Sequence, residues 1–206
     1  MSSSAAAAAS SPDPVPASAE ATRRRLSSRQ VRTVGRLTEA AVTELRSGGY
    51  DNLTVRNVAR RAGVAPATAY TYFTSREHLV TEVFWRRLEA LADRAPDRRR
   101  APARRVADTL ADMALLVADE PELAAACSVA MLANDPDVRL LRGRIGGAMR
   151  RRLVAALGDD ADPAALRVLE LATTGALIQA GGGHLSYGDL PALLAEVADV
   201  VVGDRR

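Results

Sequence analysis

The sequence predicts an all-α fold of about nine helices, and three observations carry that expectation. Apolar residues recur at intervals of three and four from Val34 to Val201. Glycine, proline and short polar residues interrupt these stripes at helix-length intervals. No stretch shows the strict two-residue alternation of a half-buried strand.

Val34, Leu37, Ala41 and Leu45 define the first stripe, and Gly48-Gly49 ends it, because glycine accepts the left-handed conformation of a helix stop. A short helix from about Thr54 places Val55, Val58, Ala59 and Ala62 on its buried side. Gly63 breaks that helix, and Pro66 falls in the first turn of the next, which stops near Phe73. Thr74 and Glu77 have capping-box spacing, with Ser75 as the alternative cap, for a longer helix through about Ala92. Asp97 to Arg105, with Pro96 and Pro102, reads as an arginine-rich connector. Val106, Leu110, Met113 and Val117 mark a helix that ends at Glu120-Pro121, and Leu123 to Leu132 reads as a buried helix. Val138, Leu141, Ile145, Met149, Leu153 and Leu157 define a long one. Leu166, Leu169, Thr173 and Ala176 run towards Gly181, and Leu190, Leu193, Leu194, Val197 and Val201 close the chain.

The net charge of +3 hides an asymmetry. Residues 23–105 carry 19 arginines against 8 acids, and residues 106–206 carry 9 against 15. A basic front and an acidic back indicate a nucleic-acid-facing part joined to a part with another task. All 28 basic residues are arginine, which with the abundant alanine fits a GC-rich genome. Residues 1–22, poor in bulky apolar side chains, are expected to be a disordered Ala/Ser/Pro tail. No run spans a bilayer, no secretory signal is apparent, and the single Cys127 forms no intrachain disulfide, so a cytoplasmic protein is expected.

Two short helices crossing steeply need a small residue at the crossing and a glycine in the turn, which Ala59 and Gly63 supply. The run Val58-Ala59-Arg60-Arg61-Ala62-Gly63-Val64-Ala65-Pro66-Ala67-Thr68-Ala69-Tyr70-Thr71-Tyr72-Phe73-Thr74-Ser75-Arg76-Glu77-His78-Leu79 is more specific: it closely resembles the DNA-binding signature of the TetR family. Its turn residues appear as Ala62, Gly63 and Val64, and its Tyr-x-Tyr/His-Phe as Tyr70 to Phe73. Arg76 stands where the family usually has lysine, and Ala65 where it has a capping serine; Ala67 and Ala69 replace a common glycine and leucine.

The resemblance implies a three-helix helix-turn-helix DNA-binding domain over 23–74, a connecting helix over 75–95, and a helical ligand-binding and dimerisation domain over 96–206. It implies DNA contacts by Thr54, Arg56, Ala65, Pro66, Ala67, Thr68, Tyr70, Thr71, Tyr72 and Arg76. Thr54, Tyr70, Tyr72 and Arg76 are expected on phosphates, which fix position without reading sequence. Arg56, Thr68 and Thr71 are expected at base edges, arginine favouring guanine and the threonine methyl meeting thymine. One buried and one exposed tyrosine is the alternative for Tyr70 and Tyr72, and Phe73 is expected in the core. Arg23-Arg24-Arg25 is either a DNA-contacting arm or a solvated tail. Arg98-Arg99-Arg100 and Arg150-Arg151-Arg152 are read as solvated.

The same resemblance implies a homodimer on palindromic double-stranded DNA, paired through the helices at about 162–180 and 190–202, with Ala172, Gly175, Ala176, Leu193, Leu194, Val197 and Val201 on the face. It also implies an effector cavity, for which Met113, Leu116, Cys127, Met131, Met149, Thr173 and Gln179 are the candidate lining. Because six of the seven aromatics precede the connector, a small hydrophobic effector is expected, with Phe84 and Trp85 as candidate transmitters. The expected function is a repressor released by that effector; the alternative is an activator, or a regulator controlled by a protein partner. No nucleophile motif or metal spacing surrounds His78, His184 or Cys127, so neither an enzyme nor a bound cofactor is expected.

Overall fold

The computed structural model describes residues 27–91, 96–158 and 161–203. Among these residues there are nine α-helices, one 3-10 turn and no strand. They are α1 (Ser28–Gly48), α2 (Val55–Arg61), α3 (Pro66–Tyr72), α4 (Arg76–Ala90), α5 (Pro102–Ala114), α6 (Pro121–Met131), α7 (Pro136–Leu157), α8 (Pro163–Gly181) and α9 (Leu190–Val202). The 3-10 turn Leu115–Val117 extends α5. The expected tail and Arg23-Arg24-Arg25 lie outside the described residues.

Local chemistry sets most boundaries. α1 opens with a reciprocal capping box: Gln30 N donates to Ser27 Oγ, and Ser27 N donates to Gln30 Oε1 at 2.8 Å. It ends at Gly49, whose φ of 69° a side chain would resist. Proline opens α3, α5, α6, α7 and α8, where its missing N–H costs nothing. For α4 the cap is Ser75, whose Oγ accepts from His78 N at 3.0 Å. Thr74 and Glu77 do not close the predicted box, because both side chains turn to tertiary partners.

Helices α1, α2 and α3 form a headpiece in which α1 packs on α2, and α2 on α3. Helix α4 packs on α1 on one side and on α6 and α7 on the other. Its buried Leu79, Val80, Val83, Phe84 and Leu88 join the two parts into one contiguous core. Behind it, α5 packs against α7 and α9, and α8 against α6 and α9.

Two expectations need correction. The arginine-rich connector stops earlier than predicted, since α5 begins at Pro102 and takes Arg104 and Arg105 with it. Arg105 then binds across to the end of α7, donating to the carbonyls of Ala156 at 2.8 Å and Leu157 at 3.0 Å. The segment Leu123 to Leu132 buries only one side: Leu123, Ala124, Ala126, Cys127 and Ala130 are inside, while Val129 and Leu132 are exposed.

Candidate nucleic-acid interface

The turn between α2 and α3 is set by a Schellman arrangement. Val64 N donates to Ala59 O at 2.9 Å, and Gly63 N donates to Arg60 O at 3.2 Å. Gly63 sits at φ 62°, where a side chain is strained. Fully buried Val58 and Ala59 form the crossing, and Val64, Ala69 and Phe73 anchor the inner side of α3.

The outer side of α3 is exposed along Pro66, Ala67, Thr68, Tyr70 and Thr71, and Ala65 at its N-cap is also exposed. Six of the predicted contact residues therefore share one surface. Ala65 makes no side-chain cap bond, so the first amides of α3 lack the oxygen that a serine would supply. The two tyrosines differ: Tyr70 is 51% exposed, while Tyr72 is half-buried against the core. At the start of α2, Thr54 caps the helix by accepting from Asn57 N at 3.1 Å, and Arg56 is exposed beside it.

Arg76 is placed differently from a free phosphate ligand. Its guanidinium lies over the Tyr50 ring, donates to the Tyr50 carbonyl at 3.0 Å and pairs with Glu77 at 3.0 Å. Tyr50 Oη in turn donates to Glu77 Oε1 at 3.0 Å. Burial, then the Glu77 carboxylate, pushes the Tyr50 phenol up to about 12. Burial works against ionised Glu77, but a backbone N–H and the bonds from Arg76 and Tyr50 outweigh it and hold the carboxyl below its ordinary range. Arg76 thus closes the α1–α2 loop onto the start of α4.

Sequence reasoning missed several cations. Arg29, Arg32 and Arg36 are exposed along one stripe of α1, and Arg60 is exposed on α2. With Arg56, these make no ion pair among the described residues, whereas Arg61 is engaged by Glu44 at 2.5 Å. The intervals of three and four that mark apolar stripes would have found the α1 set.

None of the seven candidate effector residues lines the charged cleft beside α4. Met113, Cys127 and Thr173 are buried, Leu116, Met131 and Met149 are partly buried, and Gln179 is exposed. Burial raises the Cys127 thiol to about 12, so it is no nucleophile at neutral pH. The cleft itself, of about 1140 Å³, lies among α4, the connector, α5 and α7. Trp85, Leu91 and Ala155 line it beside Arg98, Arg100, Arg151 and Arg152, with Glu89, Asp97, Asp108 and Asp112 also present. Arg98, Arg99, Arg100, Arg150 and Arg151 are exposed, in line with the solvated reading, although Arg100 also pairs with Asp108; Arg152 departs from it, being half-buried and donating to the carbonyls of Leu88 and Leu91. Arg150 lies outside the cleft and pairs with Glu170 at 2.8 Å. Among the described residues no group of three or more His, Cys, Asp or Glu is placed to hold a metal, and no helix is long and apolar enough to cross a membrane.

The residues expected at a pairing face divide between core and surface. Ala176 and Leu194 turn into their own core, and the exposed apolar stripe of α8 is Val168, Leu171 and Ile178. Leu171 is 74% exposed, and Val200 on α9 is 85% exposed.

Comparison with known proteins bears on the whole arrangement. Residues 37–83 match the family model for bacterial regulatory proteins of the tetR family. An uncharacterised HTH-type transcriptional regulator of Mycobacterium tuberculosis is 44% identical over 180 residues, which cover 84% of this chain and 82% of that protein. A TetR transcriptional regulator from Rhodococcus sp. RHA1 superposes with a TM-score of 0.70 at 22% identity, covering 85% of this chain and 99% of its own. The Thermus thermophilus repressor FadR, solved in complex with lauroyl-CoA, superposes with a TM-score of 0.63 at 17% identity, covering 84% and 96%.

Proposed function

The chain belongs to the TetR family of DNA-binding transcriptional regulators, and from that premise we propose a homodimeric repressor that leaves a palindromic operator when a small effector binds. The observation that carries this reading is the exposed side of α3, formed by Ala65, Pro66, Ala67, Thr68, Tyr70 and Thr71 and held on a fixed turn beside exposed Arg56 and Arg60, which make no ion pair among the described residues. Thr68 and Thr71 face base edges with Arg56, Tyr70 and Thr54 take phosphates, and Arg29, Arg32 and Arg36 add backbone contacts. Tyr72 and Arg76 support this surface from behind.

Pairing uses Val168, Leu171 and Ile178 of α8 with Val200 of α9, apolar groups that a second copy would remove from water. A two-fold pair presents two copies of α3 to the two halves of a palindrome.

The charged cleft changes the effector chemistry that the sequence suggested. Guanidiniums beside Trp85 and Leu91 suit an amphiphile with an anionic head better than a purely hydrophobic molecule. The acyl-CoA in the FadR complex is a molecule of that kind. The cleft abuts α4, whose first turn follows directly on α3, so its occupant can shift the headpiece. A coupling of about 1–3 kcal/mol would weaken DNA binding roughly 5- to 150-fold.

The test is to retain fragmented genomic DNA on the purified protein, sequence it, and repeat with Tyr70→Ala and Arg56→Ala. A short palindrome, lost or blurred in the variants, is expected. Lauroyl-CoA, free laurate and coenzyme A are then titrated against that fragment. Release by lauroyl-CoA or by laurate, but not by coenzyme A alone, supports the amphiphile; release by none of the three, or equally by coenzyme A, with DNA binding intact, removes this effector class.

A further inference from the structure

The headpiece meets the rest of the chain through a junction at which two helix caps are bonded to each other. Ser75 caps α4 by accepting from His78 N at 3.0 Å, and the same hydroxyl donates to Asp135 Oδ2 at 2.7 Å. Asp135 caps α7: its Oδ1 accepts from Asp137 N at 2.8 Å and Val138 N at 3.2 Å, which leaves Oδ2 for Ser75. One step further, Thr74 Oγ1 donates to Asp137 Oδ2 at 3.0 Å. The His78 ring lies 3.7 Å from Asp137 and meets the buried Phe73 ring edge-on.

These residues directly follow α3, which ends at Tyr72, so the junction fixes the far end of the recognition helix. Burial disfavours the Asp135 carboxylate, yet the bonds from Ser75, Val138 and Asp137, together with His78, hold it below the ordinary aspartate range. A second grip lies at the start of α6, where Glu120 pairs with Arg46 of α1 at 3.0 Å and also with Arg87 of α4. The α6 grip holds α1, whereas only the α7 grip touches the segment leaving α3.

We propose that Asp135 is a positioning residue for DNA recognition: through Ser75 it fixes α3 relative to α7 and passes movement of α7 to the DNA-reading surface. The inference rests on the DNA-reading role of α3 given above. It explains why two residues that already satisfy their own helices also bond each other across the two parts of the chain. An ordinary cap needs no such partner.

Cap-preserving variants separate the bridge from local helix stability. Aspartate caps a helix as well as serine does, so Ser75→Asp keeps α4 while setting a carboxylate against Asp135. Asparagine likewise keeps the cap of α7 in Asp135→Asn, and its amide can donate to an aspartate at position 75. Ser75→Asp is expected to lower operator affinity about tenfold, Asp135→Asn to change it about twofold or less, and the double variant to restore it to within about twofold. Hydrogen exchange over residues 66–75 is read in the same proteins without DNA. It is expected to rise in Ser75→Asp and return in the double variant, which tests positioning even where no operator is retained. Wild-type affinity and exchange in Ser75→Asp, or losses in the double variant that simply add, would overturn the assignment.

Discussion

The guanidinium of Arg76 stacks 4.4 Å from the centroid of the Tyr50 ring while its Nη1 binds the Tyr50 carbonyl, so one side chain clamps both ends of one residue. Arg76→Ala removes the stacking and the ion pair together, and a loss of about 1–2 kcal/mol in urea unfolding is expected. Arg76→Lys should recover less than half, because an ammonium lacks the planar fork. The Tyr50 phenol makes the same cluster visible to alkali. Its proton is held up to about 12 in the folded chain against about 10 unfolded, so this contribution is complete below about pH 10 and is lost as pH rises towards 12. An absorbance titration of phenolate should show a late component to which Tyr187, also raised by burial, contributes, and Tyr50→Phe should remove part of it; an unchanged late component in that variant would contradict the cluster.

Salt dependence distinguishes arginines that hold the DNA backbone from those that read bases. Arg32→Ala and Arg36→Ala should each reduce the slope of log affinity against log salt by about 0.9 per protomer, about 1.8 for the proposed dimer, with the preferred operator unchanged. Arg56→Ala should relax preference at one base pair, at a cost of about 1–3 kcal/mol. Competition binding to a panel of single-base operator variants measures both. An unchanged slope in both α1 variants would remove that stripe from the interface.

Leu171 is the most exposed member of the α8 stripe and makes a direct test of pairing. Leu171→Glu should give a folded monomer in sedimentation, with helix content retained and operator affinity reduced about a hundredfold or more, since half of the palindrome is lost. A variant that still sediments as a dimer would place the interface elsewhere.

Gly181 ends α8 where it crosses α6, and an added Cβ would lie 1.9 Å from Ser128 Oγ and 2.5 Å from Ser128 Cβ. Gly181→Ala should therefore cost about 1–3 kcal/mol, the range for an overpacked contact. Ser128→Gly in the same chain should return part of it, and thermal unfolding of the pair reads the compensation. No loss in Gly181→Ala would mean that α6 and α8 separate more easily than their packing implies.

The elements were legible wherever a local rule acts alone. Gly49 and Gly63 stop helices by their own backbone geometry, and Pro66 starts one; Pro102, read as connector, and Pro121, read as a helix end, also turn out to start helices. The α4 cap was ambiguous because Thr74 and Ser75 are equally able locally, and the choice is made by acids sixty residues away in sequence. The role of Arg76 was hidden for a like reason: its charge is readable, but the ring and carbonyl of Tyr50 that occupy it are brought there by the fold. The family resemblance put Ala176 and Leu194 on the pairing face, and the stripe they belong to does not say which neighbour covers it. The effector residues were chosen as apolar and placed in the back half, a criterion that core packing satisfies equally well. Arg98, Arg100, Arg151 and Arg152 line one cleft only because the connector folds beside α7.

The shortness of α3 limits how much this protein can read. Seven residues make a rod of roughly 10 Å, close to the width of the major groove, and so pass about three base pairs. Three positions with four choices each recur about once in 64 base pairs, too often to mark a gene. Two such words at one fixed separation recur about once in 4,096, so the separation between the two rods sorts true sites from chance ones. In the proposed dimer a fixed distance is what joins two short words into one address, and an effector that altered that distance would erase the address without touching a base.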